Sequence, residues 1–234
     1  QPELVVFSGT QIGKDLAPRL AQRFGAGCVT DVTAIEKAGE GVEFVRPAYG
    51  GTVLERLAVS GPVQFATVRS GSFAKPEAAE GSVEEKDAPV AAEALKAKVI
   101  DAAKEIAEAV DLEGADVIVT GGRGMGDAEG FKLVEELAAL LGGVVGASRP
   151  AIEEGWASRA HQVGQSGKIV APKLYIACGV SGAMQHVSGI MGSKYIVAIN
   201  KDEAASIFDI ADVGIVGDVK EIIPLLIEEI KNRK

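Results

Sequence analysis

The 234-residue chain reads as an α/β protein, with a doubly wound parallel sheet in its C-terminal half and an incomplete α/β domain before it. Three observations predict this. Short apolar runs recur along the second half, each closing on small or polar residues, and helical segments stand between most of them. That alternation is the mark of a parallel sheet covered by helices on both faces. The 29 glycines suit tight strand-to-helix turns better than a β-sandwich. Hydrophobic residues make up 47% and aromatics only 5%, enough for a core.

Taken in order, Leu4–Phe7 reads as a buried strand and Ser8-Gly9-Thr10 as a turn. From Asp15 to Phe24 the apolar positions Leu16, Ala17, Leu20 and Phe24 fall at helical spacing. Further strands are expected at Cys28–Val32, Glu43–Pro47 and Val63–Val68, punctuated by Gly39, Gly41, Gly50, Gly51 and Gly61. Residues 70–89, rich in Ser, Gly, Ala, Pro, Glu and Lys, read as a linker or loop. Val90 to Val110 reads as a Glu/Lys/Ala-rich helix whose charges form a solvated face. A boundary then divides 1–113, a partial N-terminal domain with its linker and helix, from 114–234. In the second part strands are expected at Asp116–Thr120, Val144–Val145, Leu174–Cys178, Tyr195–Ile199 and Val213–Val216, with helices at Ala128–Leu141 and Val219–Ile230. Ligands bind such sheets beyond the carboxyl ends of the strands. The polar residues there are Arg123, Ser148, Arg149, Ser181, Asn200 and Asp218, which this topology brings to one edge.

The formal net charge of −9, with no basic stripe, argues against nucleic acid or an anionic membrane surface as partner. No apolar run approaches the roughly 20 residues that span a bilayer, and no signal peptide is visible. The chain begins at Gln1, which leaves room for a segment removed earlier. Cys28 and Cys178 stand apart, with no metal-ligand spacing around them. They read as buried thiols in a reducing compartment, although Cys178, ending a strand beside Gly179, could also lie near a ligand.

The most informative stretch is Gln162–His186, QVGQSGKIVAPKLYIACGVSGAMQH. Two glycine-rich loops surround one apolar strand, and glycine lets backbone N–H groups approach a ligand closely. The stretch adds hydroxyls, amides, a cation and an imidazole, a mixture suited to a large anionic cofactor. Familiar motifs fit badly. Gly122-Arg123-Gly124-Met125-Gly126-Asp127 misses the last glycine of the dinucleotide turn. Gly164-Gln165-Ser166-Gly167-Lys168 hints at a P-loop, but Gln162 and Ile169 occupy the positions of its first glycine and its Ser/Thr. Gly179-Val180-Ser181-Gly182-Ala183 lacks the closing glycine and the distant histidine of a nucleophile elbow. Ser181 then reads as an anion-cradling hydroxyl rather than a nucleophile.

Together with TGGRG at Thr120–Gly124, GASRP at Gly146–Pro150, IVAINKD at Ile196–Asp202 and DVGIVGD at Asp212–Asp218, that stretch closely resembles the FAD-binding domain of electron transfer flavoprotein alpha subunits. The motifs keep the family's order over about half the chain. The first part resembles the later portion of the family's N-terminal domain, notably GKDLAPRLA at Gly13–Ala21 and Thr30-Asp31-Val32. The resemblance implies further strand–helix units before the position of Gln1, so the domain reads as incomplete.

The resemblance implies FAD as cofactor. Ser148, Ser181 and the loops with Gly179, Gly182, Ala183 and Met184 would cradle the pyrophosphate, with Arg123 as a supporting cation. Asn200 and Asp218 would lie toward the adenosine. Arg149, Gln165, Ser166, Gln185 and His186 would surround the isoalloxazine, Ser166 near N5, and Gln162, Val163 and Gly164 would also bind the cofactor. Arg149 and His186 would offer positive charge or donors where the reduced flavin is negative. The implied role is an electron carrier without a substrate of its own, in the cytoplasm or a mitochondrial matrix. It would be paired with a beta subunit that holds AMP or a second FAD, and would relay electrons from flavin dehydrogenases to a quinone-linked or other acceptor. A bifurcating assembly remains compatible. Read without the resemblance, His186 is a structural histidine, Arg149 an ordinary loop cation, and Lys168, His161 and Trp156 surface or packing residues. Two other classes stay open: the nucleotide domain of a larger enzyme, such as a thiamine-diphosphate enzyme, and a non-redox nucleotide-binding scaffold.

Overall fold

A computed structural model describes residues 2–39, 41–74, 77, 80–87, 90, 94, 97 and 110–233. The helix expected over 90–110 lies almost wholly outside the described residues, as do parts of the linker before it.

The first part carries two small sheets. Strands β1 (Leu4–Ser8), β2 (Cys28–Val32) and β6 (Gln64–Val68) pair in parallel in the order β1-β6-β2. Strands β3 (Ala34–Ala38), β4 (Gly41–Ala48) and β5 (Val53–Ala58) form an antiparallel meander. Helix α1 (Gln11–Phe24) starts four residues before the expected Asp15. The Thr10 hydroxyl caps it by accepting from the Gly13 N–H at 3.2 Å, so the helix starts at the cap rather than at its first apolar position. It stops at Gly25, whose left-handed backbone (φ 60°) closes the last turn.

The second part is one five-stranded parallel sheet. Its strands are β7 (Val117–Gly121), β8 (Val144–Ala147), β9 (Leu174–Cys178), β10 (Ile196–Asn200) and β11 (Val213–Val216), in the order β11-β10-β9-β7-β8. Alternate residues of each strand feed two cores. On one face Val119, Ile176, Cys178 and Ile199 pack against α2 (Ala128–Leu140) and α5 (Val219–Arg233). On the other face Ile118, Tyr175, Ala177 and Ala198 pack against Leu112, Val163, Val180, Ile190 and Ile207. The expected parallel α/β architecture is present, with one refinement. Among the described residues the second face is covered by loops and short turns rather than by a long helix.

The sheet reverses winding between β7 and β9, because β8 lies outside β7 while β10 and β11 lie beyond β9. Loops leaving β7 and β9 therefore part in opposite directions and open a crevice at that switch point. Their backbones meet at its base: Gly122 N donates to Cys178 O at 2.8 Å, and Gly124 N to Gly179 O at 2.9 Å. A Cβ on Gly124 would fall 2.7 Å from Gly179 Cα, so this approach requires glycine. Single-turn helices α3 (Arg149–Glu153) and α4 (Met184–Val187) begin just beyond β8 and β9.

Candidate functional site

At the carboxyl ends of the five strands lies a cavity of about 820 Å³, near the top of the roughly 300–1,000 Å³ found for small-molecule sites. Every strand-end residue singled out from sequence lines it: Arg123 after β7, Ser148 and Arg149 after β8, Ser181 after β9, Asn200 at the end of β10 and Asp218 after β11. Val163, Gly164, Gln165 and Ser166 form one wall. Gly179, Ala183, Gln185 and His186 form another.

Three expected residues do not line it. Gln162 is 5% exposed and sits behind the wall, its Nε2 donating to Ser166 Oγ at 2.9 Å. Gly182 (φ 87°) packs directly on the Ile207 backbone, where any Cβ would collide. It joins two loops rather than facing the cavity. Met184 turns outward, 52% exposed, against Gly50 of the first part. A hydrophobic side chain at the first turn of α4 points to the protein surface here because the inward positions are taken by His186 and Val187.

The polar groups divide by how fully they are already used. The Asn200 amide is spent on the scaffold, donating to Val180 O at 2.9 Å and accepting from Asp202 N at 3.0 Å. Asp218 accepts from Lys220 N at 2.8 Å at the start of α5. Arg149 is exposed and pairs with Glu153 at 2.8 Å, so its charge is partly matched before any ligand arrives. By contrast, Ser148 Oγ and His186 Nδ1 are buried with no hydrogen-bond partner. A buried polar group without a partner is costly, and both belong to lining residues. The Ser166 oxygen already accepts from Gln162, which leaves its own proton free to donate.

Of the two roles expected for His186, positive charge or donor, burial favours the donor. It is 7% exposed, and burial pushes its pKa down to about 4, only partly opposed by the Val163 backbone. The imidazole is therefore neutral at pH 7 and acts as a hydrogen-bonding group. Cys178 is fully buried under α2 and α5, its thiol pushed up to about 12 by burial, and it does not line the cavity. His161 is held structurally, with Nδ1 at 2.8 Å from Val145 O. Trp156 packs on the helical core.

Sequence reasoning missed the loop from Lys201 to Ser206, which lines the cavity through Lys201, Asp202, Ala204, Ala205 and Ser206. The NKD motif at the end of β10 was its signal. It also missed Tyr175, whose hydroxyl meets His186 Nε2 at 2.8 Å. A second recess of about 470 Å³ shares Gln165 with the first cavity. It is lined from the N-terminal part by Arg46, Tyr49 and Arg69. Arg69 is clamped by both oxygens of Asp31 at 2.9 and 2.5 Å.

Comparison with known proteins bears on both parts. Residues 1–93 match the electron transfer flavoprotein domain, and residues 111–191 match the electron transfer flavoprotein FAD-binding domain. The electron transfer flavoprotein subunit alpha of Thermoanaerobacterium thermosaccharolyticum is 46% identical over 239 aligned positions, covering 100% of this chain and 72% of that protein. The subunit alpha of Bacillus subtilis is 46% identical over 233 positions, covering 98% of this chain and 71% of the relative. That of Megasphaera elsdenii is 45% identical over 242 positions, covering 100% and 72%. At this identity and coverage, the chain belongs to the electron transfer flavoprotein alpha-subunit family, whose members carry electrons rather than convert substrates.

Proposed function

We propose that the cavity at the strand ends holds FAD, and that the chain relays electrons as one half of a heterodimer with a beta subunit. The observation that carries this is the pairing of a cavity of about 820 Å³ with buried, unpartnered polar atoms on its lining, Ser148 Oγ and His186 Nδ1. Such atoms are satisfied by a hydrogen-bonding ligand. The donor set fits FAD in kind. Ser148, Ser181 and the Gly179 loop would take the pyrophosphate, with Arg123 at the rim. Asn200 and Asp218 shape the adenosine end, and Asn200 acts mainly by fixing the Val180 and Asp202 loops. Arg149, Gln165, Ser166, Gln185 and His186 would surround the ring system. The flavin supplies the electron-holding chemistry, while these residues orient it and exclude water. A neutral His186 would act as a donor, leaving Arg149 as the cation of that wall.

The FAD-binding unit is taken to run over 114–234, because the sheet continues to β11 and α5 packs on α2. The beta partner would carry AMP or a second FAD. Flavin dehydrogenases would supply electrons and a quinone-linked acceptor would take them, whether singly or in a bifurcating assembly. The two free thiols suit a reducing cytoplasm. No helix among the described residues is long and apolar enough to cross a membrane. The test is an absorbance spectrum of the chain purified with its beta partner, followed by stepwise dithionite titration. Flavin bands that bleach on reduction are expected. A colourless complex that takes up no added FAD would instead favour a non-redox nucleotide scaffold.

A further inference from the structure

A buried polar chain runs beneath the cavity to His186, and two of its members, Tyr175 and Thr120, have no part in the function proposed above. Tyr175, on the central strand β9, and Thr120, on its neighbour β7, are both fully buried. Tyr175 Oη lies 2.8 Å from His186 Nε2. The two rings are tilted by 54° with centroids 6.2 Å apart, so they meet through this edge contact and do not stack. The Thr120 hydroxyl lies against the phenol and favours its charged form, although it lacks a well-aligned hydrogen-bond partner.

The protons of this chain can be placed by elimination. Burial raises the phenol pKa above its ordinary value, so Tyr175 keeps its proton. The imidazole is neutral and carries one N–H. If that proton sat on Nε2, it would point at the phenol oxygen, and the buried phenol proton would be left without an acceptor, because Thr120 Oγ1 makes no hydrogen bond. If Tyr175 donates to Nε2 instead, that proton has its acceptor at 2.8 Å. The imidazole proton then resides on Nδ1, which makes no well-aligned hydrogen bond, although the Val163 backbone favours a proton on the ring. Only the second arrangement satisfies the phenol proton, and it leaves the imidazole N–H as the unmatched donor of a residue that lines the cavity.

We propose that Tyr175 is a positioning residue whose O–H fixes His186 as the Nδ1–H tautomer, making the imidazole a neutral, one-directional donor to an acceptor atom in the cavity. This rests on the flavin reading, in which the acceptor belongs to the ring system. Fixing the tautomer in advance removes the need to reorganise protons when the ligand binds or changes charge.

The chain contains only two histidines, His161 and His186, so selective labelling resolves the question. The complex is prepared with [15N]histidine in this chain and an unlabelled beta partner, with and without FAD. Long-range 1H–15N spectra are recorded at pH 7, with His186→Gln for assignment. The expected result is a protonated Nδ1 and an unprotonated Nε2 on His186, already in the flavin-free complex. Tyr175→Phe should bring in the Nε2–H form and weaken FAD binding roughly tenfold. His186 found as Nε2–H or as imidazolium in the wild type overturns the proposal. So does a Tyr175→Phe variant that loses affinity with its tautomer unchanged, because Tyr175 would then act through packing alone. If Tyr175→Phe does not fold, the wild-type spectrum decides. Failure of the wild-type complex to bind FAD is a separate readout and removes the flavin reading instead.

Discussion

Gln162 donates from Nε2 to Ser166 Oγ across 2.9 Å, and this bond fixes the direction in which the serine can act. The oxygen has accepted its donor from behind the wall, so the hydroxyl proton is left for the cavity. Gln162 is itself anchored. Its carbonyl accepts from Lys168 N at 2.8 Å, and the next residue, Val163, donates to Ala147 O at 2.9 Å. Gln162→Ala should therefore weaken FAD binding by roughly three- to tenfold, the worth of one hydrogen bond, while leaving the cavity lining intact. Ser166→Ala should have a similar effect. The double variant should lose little more than either single one, because both remove the same interaction. Flavin fluorescence titration of the four proteins checks this, and fully additive losses would show that Gln162 acts independently of Ser166.

Gly182 yields a sharper steric prediction. Its φ of 87° disfavours any L side chain, and a Cβ would strike the Ile207 backbone. Ile207 N in turn donates to Ser181 O at 3.1 Å, so the collision would break the contact that ties the Ser181 loop to the Ser206–Asp209 turn. Gly182→Ala should cost about 2 kcal/mol and lower Tm by about 4–8 °C. Retained FAD should fall with it, since Ser181 sits on the displaced loop. Gly142 also has a positive φ, of 64°, but nothing lies within 4 Å of a Cβ there. Gly142→Ala therefore isolates backbone strain from collision and should show the smaller loss by differential scanning calorimetry.

Much of this site can be read from the chain because parallel sheets place their functional groups by rule. Once β7, β9 and β10 are recognised as apolar runs, Arg123, Ser181 and Asn200 must gather at one edge. Orientation within the loops could not be read in the same way. Gln162, Gly182 and Met184 stand in the same glycine-rich stretch as true lining residues, and only the folded loops turn them away. The charge state of His186 was hidden for a related reason, since it depends on burial that spacing does not encode. The strands β3 and β5 were missed because Ala34–Ala38 and Val53–Ala58 are half-exposed and mix charged with apolar residues. Their pairing with β4 overrides weak local preference.

His186 should make stability depend on pH in a definite direction. Its pKa is about 4 in the folded protein and near 6.5 once unfolded. Between those values the unfolded chain binds a proton that the folded chain refuses, so stability rises with pH. The benefit is complete above about pH 6.5 and is lost progressively as pH falls toward 4. The shift corresponds to a loss on the order of 3 kcal/mol. His186→Gln keeps a polar group for Tyr175 but does not titrate. Urea midpoints for the flavin-free complex at pH 7 and pH 5 should therefore fall further for the wild type than for the variant. Equal falls would mean that the imidazole is solvated in the folded state.

The two thiols should separate cleanly by reactivity. Thiolate is the reacting species, and both its population and its access differ between the sites. Cys178 has no exposed surface, lies between β9 and the α2–α5 layer, and is pushed up to about 12 by burial alone. Cys28 opens β2 at intermediate exposure, its pKa raised by partial burial. Under native conditions at pH 8, Cys28 should react with a disulfide reagent such as DTNB slowly but measurably. Cys178 should react only through opening of the five-stranded sheet. If that opening approaches global unfolding, the two rates should differ by at least about a hundredfold. Mass spectrometry of partially labelled protein assigns the sites. Filling the adjacent cavity with FAD should slow Cys178 further by stabilising the closed sheet, and Cys28, on the separate β1-β6-β2 sheet, should keep its rate. Fast labelling of Cys178 that FAD blocks completely would instead place the thiol within reach of the cavity.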